Sequence, residues 1–259
     1  MPKIKLKNFT CNYLFEDFGH NKTLVLSNSL GTNFLMWEDN IDELSHHFNI
    51  LRYDKRGHGE STIHQDKLSI AELAQDVIEL IDALQLDAVY FCGLSIGGLT
   101  GQWLAINRPD RFKKFIICNT AAKIGTIEGW EARIKQVTKF GLKSILQGTA
   151  ERWFTPHYRA NHPEKVQQIL ASFQNNELQG YVACCHAVAH ADFSNQLHQL
   201  TKPVLIIAGD KDDVTTVTDA KFIQKKAGIT HLITLQAAHL SNMEQPREFS
   251  KHIIHYLQH

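Results

Sequence analysis

Eight consecutive residues, Phe91-Cys92-Gly93-Leu94-Ser95-Ile96-Gly97-Gly98, constrain this chain more than any other stretch. The apolar run Ala88 to Phe91 leads straight into Gly93-x-Ser95-x-Gly97, and a helix-like stretch follows. This is the sequence form of a nucleophile elbow, a strand-to-helix turn so tight that its serine is thrust out of the backbone. Ser95 then sits in a strained conformation. Gly93 and Gly97 are needed to keep side chains out of space that the neighbouring strand and helix occupy. Ile96 opens the helix, its amide pointing at whatever oxygen lies near Ser95 Oγ. A glycine-rich turn with an incidental serine has the same letters, so the motif takes its meaning from the rest of the chain.

That rest has an alternating rhythm. Lys3 to Lys7 and Cys11 to Phe18 alternate apolar and polar residues, as two half-buried antiparallel strands do. Thr23 to Ser27, Phe48 to Tyr53, Ala88 to Cys92, Phe115 to Cys118, Pro203 to Ala208 and His231 to Leu235 read as further strands. Helices are expected at Trp37 to His47, at 70–85, from Ser95 to about Asn107, at about 217–227 and from Pro246 onward. The second of these opens on the capping box Ser69-Ile70-Ala71-Glu72, and Pro109 stops the third. Strands alternating with helices imply an α/β fold with a mostly parallel central sheet covered on both faces. From about Ala121 to Gln196 the rhythm breaks into helical stretches carrying several aromatics and no convincing strand. Residues 1–120 and 197–259 are therefore expected to form the core domain. Residues 121–196 are expected to form a helical cap over the carboxyl edge of the sheet, shaping a substrate pocket.

The whole-chain numbers exclude some partners. In 259 residues, 27 lysines and arginines balance 27 aspartates and glutamates, which removes any broad pull toward nucleic acid or an anionic membrane. Any preference for an anionic ligand has to come from one or two local basic residues. The five cysteines lack the spacing of a disulfide framework or a zinc site, so free thiols and a reducing compartment are expected. With neither a signal-peptide pattern nor a run of membrane-spanning length, the chain reads as a cytoplasmic protein. His186 and His190 have the i, i+4 spacing of helical zinc ligands but no third ligand, and a helix face accounts for them. Phosphate loops and dinucleotide fingerprints are absent, and neither a metal nor a cofactor is expected.

A nucleophilic serine needs a base and a group to orient that base. In open parallel sheets such groups sit in loops beyond the carboxyl ends of strands. Two later loops offer them in the order serine, acid, histidine: Gly209-Asp210-Lys211-Asp212-Asp213, then Ala237-Ala238-His239. His239 would take the proton of Ser95 during attack and return it to the leaving oxygen. One of Asp210, Asp212 and Asp213 would fix its tautomer and stabilise the imidazolium. The oxyanion of a tetrahedral intermediate needs two donors. Ile96 N–H supplies one, and Leu30 N–H, in the loop Asn28-Ser29-Leu30-Gly31, is expected to supply the other. Asp54, Arg56 and His58 look catalytic at first sight, but a polar loop buttressing the site explains them better.

These residues resemble an α/β-hydrolase with a helical cap. More specific stretches are Leu26-Ser27-Asn28-Ser29-Leu30-Gly31-Thr32, Thr100-Gly101-Gln102-Trp103-Leu104, Cys118 to Gly125, Glu151-Arg152-Trp153-Phe154-Thr155-Pro156 and Ala238-His239-Leu240-Ser241-Asn242. Together they are similar to the 3-oxoadipate enol-lactonases, across essentially the whole chain. The resemblance implies Asp212, three residues after Gly209, as the acid, and hydrolysis of 3-oxoadipate enol-lactone in bacterial breakdown of aromatic compounds. Such a substrate is a small anionic lactone, and its carboxylate needs a cationic partner. Arg133, Arg152 and Lys123 are the candidates, with Arg133 preferred because it follows Trp130 by three residues on one helix face. Trp130 and Trp153 would wall the pocket. Ala189 stands where the family often has an arginine, which points to His190 or another base as its replacement. Another hydrolase of the same fold, such as a carboxylesterase, or a ligand sensor built on a hydrolase, are the competing readings.

Overall fold

The buried apolar runs assemble side by side. Residues 2–259 are described by a computed structural model of the protein. Their strands are β1 (Lys3–Lys5), β2 (Thr10–Glu16), β3 (Thr23–Ser27), β4 (Asn49–Tyr53), β5 (Val89–Leu94), β6 (Phe112–Cys118), β7 (Val204–Gly209) and β8 (His231–Leu235), in the sheet order β1-β2-β4-β3-β5-β6-β7-β8. The β1–β2 and β2–β4 pairings are antiparallel, and the rest are parallel. All of β4, β5 and β7 is buried, as strands covered on both faces must be, whereas β1 and β8 at the two edges are partly exposed. The mostly parallel α/β sheet read from the sequence is thus present.

Local signals set most of the helix boundaries. α1 (Glu38–Ser45) packs on the closing helix, while α2 (Ile70–Ala83) packs on α3 (Ile96–Asn107). Ser69 Oγ accepts from Glu72 N at 3.2 Å and the Glu72 carboxylate accepts from Ser69 N at 2.9 Å, closing the capping box at the start of α2. β5 runs two residues further than its apolar letters suggest, because Gly93 and Leu94 pair in register with Ile117 and Cys118. β6 starts earlier than expected for the same reason, with Phe112 paired to Val89. Tertiary pairing overrides the weak strand propensity of glycine and lysine here.

Between β6 and β7, α4 (Ile127–Phe140), α5 (Leu146–Trp153), α6 (Pro156–Asn161), α7 (Pro163–Gln174) and α8 (Leu178–Ala189) follow one another, with no strand among the described residues. They are seated on loops that leave the carboxyl ends of strands. Asn176 Nδ2 donates to Gly31 O at 2.7 Å, beyond β3. Trp153 O accepts from Leu240 N at 3.0 Å, beyond β8. At the loop beyond β4, Gly57 and Gly180 cross backbone to backbone, and a Cβ on Gly180 would lie 2.3 Å from Gly57 Cα. The aromatics of this segment stack inward: Trp153, Phe173 and Tyr181 meet edge to face, with ring centroids 5.6 and 5.3 Å apart along the series.

After β7 come α9 (Val217–Ala227), α10 (Ser241–Glu244) and α11 (Pro246–Gln258), the last packing on α1. α9 is opened by a capping box of Thr216 and Asp219, and Gly228 in left-handed backbone closes it. The short α10 has too few residues to show a period, and the sequence does not reveal it. All five cysteines are buried and unpaired. No helix among the described residues is long and apolar enough to cross a membrane.

Candidate active site

Ser95 is the single residue between β5 and α3, at φ 62° and ψ −117°. A non-glycine residue in such backbone costs on the order of 1–3 kcal/mol, which the surroundings must hold in place. They do so from both sides, with Ser95 N donating to Cys118 O and Thr120 Oγ1 donating to Ser95 O, each at 2.9 Å. A Cβ on Gly93 would sit 2.1 Å from Gly97 O, and one on Gly97 would sit 2.3 Å from Ser27 O. The two glycines are therefore the condition for α3 to start so close behind the strands.

His239 lies beyond β8 and Asp212 beyond β7, and the tertiary fold brings them together. His239 Nδ1 is 2.8 Å from Asp212 Oδ2. An Nδ1–H tautomer satisfies both groups and leaves Nε2 as the basic nitrogen. Asp212 Oδ2 also accepts from Asn119 Nδ2 at 3.0 Å and Thr215 Oγ1 at 2.8 Å, while Oδ1 accepts from the amides of Val214 and Thr215 at 2.8 and 3.0 Å. Burial pushes this carboxyl up, but the His239 charge and the ring of donors outweigh it and hold the group down at about 2. Asp210 and Asp213 are exposed, and neither pairs with His239 among the described residues. Ser95 Oγ has no hydrogen-bond partner among the described residues and lines the same pocket as His239.

The two expected oxyanion donors are also available. Neither Ile96 N–H nor Leu30 N–H has an acceptor among the described residues. The Leu30 loop is pinned beneath: Asn28 Nδ2 donates to Tyr53 O at 2.8 Å, and Trp37 Nε1 donates to Asn28 Oδ1 at 2.9 Å. Gly31, at φ 83°, passes so near Phe173 that a Cβ would be 2.4 Å from its ring.

Ser29, Leu30, Ser95 and His239 share one narrow pocket with Ile124, Trp130, Arg133, Thr149, Arg152, Trp153, Phe173, Tyr181, Val188 and Val214. Trp130, Arg133 and Arg152 also line a shallower outer groove, so they stand at the neck of the pocket. Arg133 Nη1 donates to the Tyr181 hydroxyl at 3.3 Å and its guanidinium lies 5.2 Å from the Trp130 ring centre. Arg152 Nη2 donates to Thr149 Oγ1 at 3.2 Å. Burial and then the nearby Arg133 charge push Arg152 below its ordinary range. A larger cleft between α6 and the Asp210 loop, about 1920 Å³, does not reach Ser95. Its size reflects open surface, and neither Ser95 nor His239 lines it.

A family model for the α/β hydrolase fold matches residues 22–246. The chain belongs to the α/β-hydrolase family. Across 92% of this α/β-hydrolase, 239 residues are 44% identical to 3-oxoadipate enol-lactonase 2 of Acinetobacter baylyi, covering 90% of that protein. 3-Oxoadipate enol-lactonase 1 of the same organism is 38% identical over 87% of this chain and 85% of its own length. The solved enol-lactonase of Burkholderia xenovorans superposes with a TM-score of 0.97 at 34% identity, covering all of both chains. The resemblance read from the sequence stretches is therefore upheld.

Two sequence expectations about this α/β-hydrolase need correction. Lys123 does not line the pocket but pairs with Asp192 on the surface at 3.8 Å. His190, expected to stand in for a missing arginine, is exposed at the end of α8 and outside the pocket, where Arg133 and Arg152 supply the positive charge instead. Sequence reasoning also missed Asn119 and Glu244. Asn119 has a positive φ of 43° and bridges Asp212 to Ala238 O, while Ser241 Oγ donates to its Oδ1. Glu244 accepts from Ala238 N at 2.7 Å and Thr155 Oγ1 at 2.6 Å, tying the His239 loop to α6. An asparagine directly after a buried strand is a weak hint of left-handed backbone; nothing local marks the glutamate.

Proposed function

We propose that this α/β-hydrolase opens 3-oxoadipate enol-lactone to 3-oxoadipate through an acyl-enzyme on Ser95. His239 acts as general base and acid, Asp212 orients it, and Ile96 and Leu30 N–H hold the oxyanion. One observation carries the substrate class. Arg133 and Arg152 both face the pocket of Ser95 and His239, and neither is ion-paired among the described residues. Two partly buried like charges repel, and an anionic ligand between them relieves both the repulsion and the lost hydration. A lactone carrying a fixed carboxylate fits that requirement, and the relatives named for this activity match along nearly the whole chain.

Ser95 Oγ attacks the ring carbonyl as His239 Nε2 takes its proton, and the carbonyl oxygen moves onto the two amides. Collapse expels the ring oxygen as an enol, with His239 returning the proton. The enol becomes a ketone, which removes the nucleophile for re-closure. Water, deprotonated by His239, then releases the second carboxylate and restores Ser95. Trp130 and Trp153 wall the pocket, and residues 121–196 act as the cap on a core of 1–120 and 197–259. Five unpaired thiols suit work in the reducing cytoplasm.

The test is turnover of enol-lactone beside p-nitrophenyl acetate. Lactone hydrolysis should dominate, and Ser95→Ala should lose about 10⁴-fold or more in kcat. Good ester turnover without lactone turnover would replace this reading with a general carboxylesterase.

A further inference from the structure

Lys55 is buried in the loop after β4, and its ammonium makes no ion pair among the described residues. Its one hydrogen bond there is to the carbonyl oxygen of Ser29, at 2.9 Å. A buried ammonium without a carboxylate is costly, so the carbonyl it faces deserves a reason. That carbonyl also accepts from Thr32 N at 3.3 Å, and Thr32 Oγ1 lies 3.0 Å from both it and Met36 Sδ, its one proton shared between the two acceptors. Ser29 C=O and Leu30 N–H belong to one planar trans peptide and point in opposite directions. The donors on the oxygen therefore fix the direction of the N–H, which has no acceptor among the described residues, and Leu30 itself lines the pocket. A cation on the oxygen also draws electron density from the nitrogen and makes its proton a stronger donor.

We propose that Lys55 is a positioning residue for the oxyanion site, turning and polarising the Ser29–Leu30 peptide so that Leu30 N–H is held ready for the developing negative charge. This rests on the acyl-enzyme reading of Ser95. Lys55 does not line the pocket, so its charge reaches substrate only through that peptide. Burial drives Lys55 itself down to about 8. Of its neighbours, burial drives His58 down to about 3 and Cys184 on α8 up to about 12. Arg56 is tied to Asp76 of α2 in a buried ion pair, and Asp54 accepts from Asn12, Phe34 and Glu60.

The experiment uses p-nitrophenyl acetate, a neutral ester whose oxyanion still needs the site but whose binding does not depend on charge. Lys55→Met should lower kcat about tenfold with KM within about twofold, less than outright loss of an oxyanion donor. Wild-type kcat should fall as pH rises above about 8, and that alkaline limb should vanish in Lys55→Met. The affinity of an alkylboronic acid, which forms a tetrahedral anion on Ser95, should weaken in parallel with kcat. Thr32→Val, which removes an uncharged donor from the same carbonyl, should cost about threefold and keep the limb. If Lys55→Met does not fold, the wild-type limb and Thr32→Val decide. Unchanged kcat or boronate affinity in a folded Lys55→Met, or a wild-type profile flat from pH 7 to about 9.5, overturns the proposal. Ester hydrolysis that survives Ser95→Ala instead sinks the acyl-enzyme reading and takes this inference with it.

Discussion

Asn119 Nδ2 donates to Asp212 Oδ2 across 3.0 Å, from a residue held in left-handed backbone at the end of β6. The contact joins three strand ends, because the same amide donates to Ala238 O and the same carboxylate faces His239. Asn119→Ala should lose the bond and the tolerance of asparagine for positive φ together. Stability should fall by about 2 kcal/mol in urea unfolding and kcat by about tenfold, with KM little changed.

The depressed Asp212 carboxyl makes stability depend on acid. Its folded value is about 2 against an ordinary 3.8, so the folded state prefers the ionised form. That contribution, on the order of 2 kcal/mol, is fully present above about pH 4 and is lost as pH falls through about 2. In Asp212→Asn the slope of unfolding free energy over this range should flatten. A slope equal to that of the wild type would mean that other carboxylates carry the acid dependence.

Arg133→Met and Arg152→Met test the neck of the pocket. Each removes a guanidinium that the anionic lactone would pair with, so KM for the lactone should rise about 10- to 100-fold. Hydrolysis of p-nitrophenyl acetate should stay within about twofold, since that ester presents no carboxylate. Equal losses on both substrates would point to damaged packing around Tyr181 and Thr149.

The backbone crossing of Gly57 and Gly180 seats α8 on the loop beyond β4. Gly180→Ala places a methyl 2.3 Å from Gly57 Cα, and no flexible side chain is there to yield. Overpacking against backbone should cost about 3 kcal/mol and lower Tm by about 6–12 °C in a scanning melt. A melt within about 2 °C of the wild type would show that α8 can lift freely from the core.

Much of the fold was legible because its signals are contiguous. Gly93-x-Ser95-x-Gly97, the Ser69–Glu72 capping box, Pro109 and the apolar runs each act over a few residues, where backbone sterics and capping operate. Strand ends were less legible, since Gly93, Leu94 and Phe112 are in the sheet through pairing with distant partners.

By itself, then, the sequence determined the elbow, the order of serine, acidic loop and histidine, and the α/β rhythm that carries them. The resemblance singled out Asp212 and preferred Arg133, but it took the tertiary structure to show that Asp212 meets His239 and that Arg152, not Lys123, lines the pocket beside Arg133. Asp210, Asp212 and Asp213 differ little as letters, but one is turned inward onto an imidazole 27 positions away. Arg133 and Arg152 face the site while Lys123 pairs on the surface. Lys55, a charged letter in a polar loop, is buried against the Ser29 carbonyl. The physical reason is range: local geometry is set by adjacent residues, whereas burial and charge pairing are set by whatever the fold brings near.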